Sequence, residues 1–208
     1  MLRLRINSMH PQERHIGRST SILRAGGLAV FPTDTAYGLG CDVYMKRSVD
    51  RIFFLKGLDE NHHLSFLCSD LSQVAQYAML ENRDFRILRQ HLPGPYTFIL
   101  RSSRLVPKIL QTPRRTVGIR IPENPVCMAM IRDLGHPLVT TSVSRKNQED
   151  LQESLDPESI VAWLGRSIDL FLDAGPLHND PSTIVDLTGE MPEIIRRGSG
   201  TVEHFVSL

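Results

Sequence analysis

The sequence predicts a single α/β domain built on a twisted, mixed β-sheet flanked by helices, and three observations carry that prediction. Short apolar runs bounded by Gly or Pro, such as Leu28-Ala29-Val30-Phe31 and Pro137-Leu138-Val139, read as buried strands. Longer stretches with apolar residues at helical spacing lie between such runs, several with caps and stop signals. The two kinds of segment intermingle without strict strand-helix-strand alternation, so one sheet of mixed pairing is expected. No Pro/Gly/Ser linker, charge block, internal repeat or low-complexity tract divides the 208 residues, so residues 1–208 are predicted to form one domain.

Taken in order, Met1-Leu2-Arg3-Leu4-Arg5-Ile6 alternates apolar and basic residues like a half-exposed strand and lacks the continuous apolar core of a signal peptide. Gln12 to Arg24 places Ile16, Ile22 and Leu23 among polar residues, and Gly26-Gly27 ends a helix there. After the strand Leu28 to Phe31, Pro32 cannot donate to a ladder, so pairing is expected to stop. Beyond it Thr33, Asp34, Thr35 and Tyr37 offer four side chains able to hydrogen-bond a polar ligand, and Gly38 and Gly40 let a backbone come close. In α/β sheets ligands sit outside the carboxyl ends of strands, where this cluster lies. A plain turn made of turn-forming residues is the competing reading. Ser48 is placed to cap a helix running to about Lys56, with Val49, Ile52 and Phe53 as its buried stripe. Lys56 follows Ile52 by four residues and shares the inward face, either snorkelling past the apolar layer or pointing its ammonium into a pocket.

Asp70 caps a further helix, and another runs from about Glu81 to Leu92, where Pro93-Gly94-Pro95 forces a stop. Tyr96 to Leu100 reads as a strand. In Arg115 to Ile121, period two puts Val117, Ile119 and Ile121 on one face and Thr116, Gly118 and Arg120 on the other. The second face is either a cradle for an anionic group or simply exposed to solvent. Pro125 to Leu134 is a helix ended by Gly135, and the strand from Pro137 breaks into Thr140, Thr141, Ser142 and Ser144. Asp156-Pro157 opens a helix to Trp163-Leu164 with Gly165 past its end. Strands at Ile168 to Leu172, Thr183 to Leu187 and Glu193 to Arg196 complete the chain.

The formal net charge of +1 does not by itself point to nucleic acid. Local basic clusters exist at Lys46, Arg47, Arg51 and Lys56, at Arg114, Arg115 and Arg120, and at Arg145, Lys146, Arg196 and Arg197; solvated faces are the first explanation for them. Cys41, Cys68 and Cys127 are odd in number and lack CxxC spacing, which argues against a disulfide framework or zinc site and fits a reducing cytoplasm. Adjacent His62 and His63 make a poor metal pair, and Cys41 reads as a small buried hydrophobe rather than a nucleophile. No stretch approaches the roughly 18 apolar residues of a membrane span.

Seven segments occur in order: Phe31 to Gly40, Leu55-Lys56-Gly57, Pro93-Gly94-Pro95-Tyr96-Thr97, Thr116 to Pro122, Pro137 to Ser142, Ser182 to Asp186, and Arg196-Arg197-Gly198. Together they resemble the YrdC/YciO/YwlC family from about Gln12 to Thr201, and the spacing from Lys56 through Asp59, Glu60, Asn61 and His62 is most similar to the YciO branch. The resemblance implies a twisted sheet with a large concave, basic cavity. It implies synthesis of threonylcarbamoyl-AMP and pyrophosphate from L-threonine, bicarbonate and ATP, a step in tRNA modification. It also implies, as an alternative, binding of double-stranded RNA or tRNA without this catalysis. By position it assigns threonine to Thr35, Arg120 and Ser182, and the nucleotide to Lys56, Thr116, Ser142, Ser144 and Arg196, with Lys56 and Arg120 as the catalytic pair. Magnesium is expected to accompany the triphosphate.

The chemistry of these side chains fits such roles. Lys56 is a compact point charge suited to phosphate, Arg120 a fork suited to a carboxylate, and positioning plus fixed positive charge supply most of what adenylation needs. Three departures from the synthase pattern lower the expected activity. Leu58 replaces the second base of Lys-x-Arg, Leu67 replaces a histidine, and Ser142-Val143-Ser144 replaces Ser-x-Asn. One lost charge-assisted bond of roughly 1.5 to 3 kcal/mol corresponds to about ten- to hundredfold in transition-state affinity.

Overall fold

The computed structural model describes residues 1–59, 62, 64–143, 156–177 and 180–206. Its strands are β1 (Leu2–Arg5), β2 (Ala29–Pro32), β3 (Tyr37–Asp42), β4 (Ser65–Leu67), β5 (Tyr96–Arg101), β6 (Thr116–Arg120), β7 (Leu138–Ser142), β8 (Leu170–Asp173), β9 (Thr183–Asp186) and β10 (Glu193–Arg196). They form one sheet in the spatial order β1-β8-β2-β3-β7-β4-β6-β5-β9-β10. Pairing is mixed, as the sequence pattern predicts: β8 runs parallel to both β1 and β2, β4 to β6 and β5 to β9, while β3 pairs antiparallel with β2 and β7.

The helices are α1 (Glu13–Arg24), α2 (Lys46–Lys56), α3 (Leu71–Tyr77), α4 (Asn82–His91), α5 (Pro125–Leu134), α6 (Pro157–Leu164) and α7 (Glu203–Val206). Their ends follow local chemistry. Asp70 accepts from the Gln73 amide at 2.8 Å to start α3, and Asp156 accepts from Glu158 and Ser159 at 2.9 and 3.0 Å to start α6. At the end of α5, Gly135 adopts φ 79°, a left-handed conformation that glycine takes without the steric cost of a Cβ.

The two faces of the sheet meet different surroundings. Alternation sends Val30, Leu39, Phe66, Phe98, Ile119, Val139, Phe171 and Val185 into one large core, which α2, α3, α4, α6 and α7 close with Val49, Ile52, Val74, Leu88, Ile160 and Phe205. On the reverse face Ala29, Phe31, Leu67, Leu138, Leu170 and Leu172 pack under α1 and α5 through Ile16, Leu23, Val126 and Met130. Two helices cover only part of that face. Its remaining inward positions, Gly38, Ser65, Thr97, Gly118, Thr140 and Ile184, line a cavity instead.

Three local expectations are corrected. Tyr37–Asp42 is a full strand rather than a ligand loop, because Gly38, Leu39 and Gly40 are held on both sides by β2 and β7. Low strand propensity at two glycines is overridden by that double pairing. Ser48 is not a helix cap, since α2 begins two residues earlier behind Met45, and its buried hydroxyl donates to the Gly26 carbonyl at 2.7 Å. Pro32 does pair, as the last residue of β2 opposite Tyr37, and the ladder stops one residue beyond the expected point. Plain solvent exposure of Thr116, Gly118 and Arg120 is also corrected, since all three are buried.

Gly40 is required by a close approach, because a Cβ there would stand 2.6 Å from the Val139 carbonyl oxygen and 3.0 Å from the Phe31 ring. Gly40→Ala is therefore expected to lower unfolding free energy in urea by about 1 to 3 kcal/mol, the usual cost of overpacking.

Candidate functional site

The loop between β2 and β3 sets one end of the cavity. The Thr33 hydroxyl donates to the Ala36 carbonyl at 2.6 Å and accepts from the amides of Thr35 and Ala36 at 3.1 and 3.2 Å, so the loop is closed on itself around one side chain. That fixes Asp34 and Thr35 against the end of β6. There Arg120 Nη2 donates to Asp34 Oδ1 at 2.6 Å and to Thr35 Oγ1 at 2.9 Å, with both charged side chains about nine-tenths buried. The second carboxylate oxygen of Asp34 and the Nε of Arg120 are buried without a hydrogen-bond partner.

The cavity measures about 380 Å³, within the range of roughly 300 to 1,000 Å³ typical of small-ligand sites. Gly118 forms part of its floor, where a missing side chain leaves the space open. Thr33, Thr35, Ser65, Thr97, Thr140, Thr141, Ser142 and Ser182 line it with hydroxyl-bearing side chains, with Lys56, Arg120 and Arg196 as cations. Thr97 and Ser182 share a hydrogen bond of 2.9 Å, and Arg196 Nη2 donates to the Ser182 carbonyl at 2.8 Å. This ties β5, β9 and β10 into one wall. Lys56 arrives on the last turn of α2, and its ammonium lies 5.6 Å from the ring centre of Trp163, a cation–π contact.

Thr35, Lys56, Arg120, Ser142, Ser182 and Arg196 therefore share one cavity, as their grouping by family resemblance implied. Thr116 does not line it, and its hydroxyl lies 3.1 Å from that of Thr112. Ser144 lies outside the described residues, as do Glu60, Asn61, His63, Arg145 and Lys146. Of the four polar residues in the β2–β3 segment, Thr33, Thr35 and Tyr37 border the cavity and Asp34 does not, but the Tyr37 ring packs in the main core and its hydroxyl is engaged there. Its hydroxyl donates to the Gly175 carbonyl at 2.7 Å and accepts from the Ala174 amide at 2.9 Å, and burial pushes its pKa up to about 12. Leu58 lines the cavity with its apolar side chain, whereas Leu67 is fully buried beneath α5.

Sequence reasoning missed the apolar part of the wall, Ile99, Ile184 and Ile195, and the contact of Lys56 with Trp163. The alternation of Thr97 with Phe98 and of Ile184 with Val185 carried the signal for the first. The three thiols are buried, and burial pushes Cys41 up to about 12 and Cys68 and Cys127 further, which leaves them inert rather than nucleophilic. Among the described residues no cluster of three or more His, Cys, Asp or Glu side chains could hold a metal, and no helix is long and apolar enough to cross a membrane. In the first basic cluster Lys46 pairs with Asp50 at 2.8 Å and Arg51 with Asp169 at 3.1 Å.

The site is thus a cationic, alcohol-rich hollow on the uncovered part of a mixed sheet in an α/β protein. Comparison with known proteins gives the family: the model named for Sua5, YciO and YrdC and described as "Telomere recombination" matches residues 21–198, and the chain belongs to that family. It is similar to the uncharacterized protein YciO of Escherichia coli K12, with 37% identity over 202 residues, 97% of each chain. The crystal structure of E. coli YciO superposes with a TM-score of 0.91 at 36% identity and 98% coverage of both chains. A threonylcarbamoyl-AMP synthase of Nitrosococcus oceani is 32% identical over 152 residues, 73% of this chain and 80% of the relative.

Tyr37→Phe removes the hydroxyl shared by the Gly175 carbonyl and the Ala174 amide. The expected result is a loss of about 1 to 3 kcal/mol in unfolding free energy, measured by urea denaturation.

Proposed function

We propose that the protein binds ATP and L-threonine in this cavity and forms threonylcarbamoyl-AMP and pyrophosphate from them with bicarbonate, at a rate lowered by its departures from the synthase pattern. The observation that carries this reading is the convergence of Lys56, Arg120 and Arg196 with eight Ser and Thr residues on one cavity of about 380 Å³. A triphosphate needs concentrated positive charge, and a small hydroxy amino acid needs neutral donors and acceptors beside a guanidinium. The named activity of the Nitrosococcus relative supports the same chemistry.

In this reading Lys56, Ser142 and Arg196 hold the phosphates, and Thr35, Arg120 and Ser182 hold the amino acid. Catalysis consists of aligning the carbamate oxygen with the α-phosphate and stabilising the charge that moves to pyrophosphate. The described cavity wall carries Ser and Thr residues but no Asp or Glu, so a magnesium ion would be held chiefly by the phosphates of the nucleotide and by water, with Ser142 and Thr141 the hydroxyl groups nearest in kind to a protein ligand. When bound, it neutralises phosphate charge. The product belongs to tRNA modification, and a cytoplasmic setting is part of the proposal.

Incubation with ATP, L-threonine and bicarbonate is expected to yield the adenylate by mass spectrometry, and absence of product above a Lys56→Ala control overturns the reading. In that control ATP affinity is expected to fall about ten- to hundredfold, followed through Trp163, the single tryptophan, whose ring lies beside the ammonium. Leu58→Arg places a guanidinium on the cavity wall and is expected to raise the turnover rate by about ten- to hundredfold. Duplex-RNA binding without catalysis is the competing reading, supported by exposed Arg114, Arg115 and Arg197. It predicts RNA affinity that falls steeply with salt and no adenylate.

A further inference from the structure

The buried pair between Asp34 and Arg120 is built unlike a simple structural salt bridge. Guanidinium and carboxylate normally meet through two parallel bonds. Here a single nitrogen, Nη2, serves both Asp34 Oδ1 at 2.6 Å and Thr35 Oγ1 at 2.9 Å. The atoms that a two-bond pair would use, Arg120 Nε and Asp34 Oδ2, are buried and unsatisfied. Arg120 is among the residues that line the cavity, and Asp34 is not. The Thr33-centred turn holds Asp34 in place.

A guanidinium whose charge is already neutralised by a resident carboxylate attracts a second anion weakly, because the entering charge meets that carboxylate at short range in a poorly solvated place. A zwitterion carries its own positive group and avoids that repulsion. We propose that Asp34 is the resident counterion of Arg120, a positioning residue that makes this end of the cavity select zwitterionic amino acids and reject simple anions such as phosphate. Phosphate groups are thereby directed to the end that holds Lys56 and Arg196. The inference rests on the proposed assignment of the amino acid to Arg120, and its central probe does not depend on that assignment.

The experiment compares the full chain with Asp34→Asn, which keeps the shape and removes the charge. Calorimetry with inorganic phosphate, L-threonine and 3-hydroxybutyrate, the same skeleton without its ammonium, reads the selectivity. Phosphate is expected to bind Asp34→Asn roughly tenfold more tightly than the unaltered protein, and the preference for threonine over 3-hydroxybutyrate is expected to fall by a similar factor. The phosphate gain is expected to vanish in the double variant Asp34→Asn, Arg120→Gln, which places it at the guanidinium. Thermal melting checks the fold, and Asp34→Ser, whose hydroxyl still accepts from Arg120, must reproduce the gain where Asp34→Asn does not fold. A purely structural role for Asp34 loosens Arg120 and weakens phosphate binding, so unchanged or weaker affinity in a folded variant overturns the inference. If threonine binds neither protein while the phosphate gain appears, the substrate assignment fails and the counterion role stands.

Discussion

The constraint on which the site depends is the period-two alternation of strands that must face two different environments at once. Each central strand has to fill a closed core on one side and leave a hollow on the other. β5 does this with Phe98 and Leu100 against Thr97 and Ile99, β6 with Val117 and Ile119 against Gly118 and Arg120, and β7 with Val139 against Thr140 and Ser142. The side packed by five helices is made of large apolar residues. The other changes along the sheet, from Phe31, Leu67 and Leu138 under α1 and α5 to small and hydroxylated residues where those helices end. Cavity and core are therefore two faces of the same strands, and a one-residue register slip would exchange them.

Charge burial is managed by local geometry. Arg120 sits in the last position of β6, opposite Leu67 of β4, and its side chain is buried against Asp34 and Thr35. A cation there needs an acceptor on a rigid support, and the β2–β3 loop supplies two, Asp34 and Thr35, from a turn closed by Thr33. At the other end Arg196 is anchored by the Ser182 carbonyl, and Lys56 rests against Trp163. Each cation is thus oriented before any ligand enters, which reduces the ordering cost of binding.

Most elements were legible because their signals are local. Asp70 and Asp156 cap the helices they were expected to cap, and Gly135 stops α5. Ile119 and Arg120 take opposite faces as their alternation required. The errors share one cause. β3 carries two glycines and draws its stability from β2 and β7, and Ser48 gave up a capping role to reach the Gly26 carbonyl 22 residues away. Tyr37 looked like a ligand group because its partners at Ala174 and Gly175 lie far along the chain. Tertiary pairing of this kind leaves no trace in a window of neighbouring residues. Six of the predicted site residues could be grouped because the family pattern orders them, whereas Thr116, on the correct face of β6, is drawn to Thr112 and off the cavity wall.

The apolar part of the wall changes how the loss of a base at position 58 should be weighed. Leu58, Ile99, Ile184 and Ile195 stand in the same hollow as the three cations. Apolar lining lowers the local dielectric and strengthens charge–ligand contacts made beside it, so under the proposed function half-buried Lys56 would act on a phosphate more strongly than a fully solvated cation, whereas Arg196, which is exposed, would gain less. The same lining supplies no donor for a phosphate oxygen that a second base would have satisfied, and an unpaired anionic oxygen against isoleucine or leucine is costly. The two effects act on different steps. Under the proposed function, stronger fields would hold a ground-state triphosphate, while the missing donor would be felt most as charge accumulates on the leaving pyrophosphate, a balance that favours retaining nucleotide over turning it over quickly.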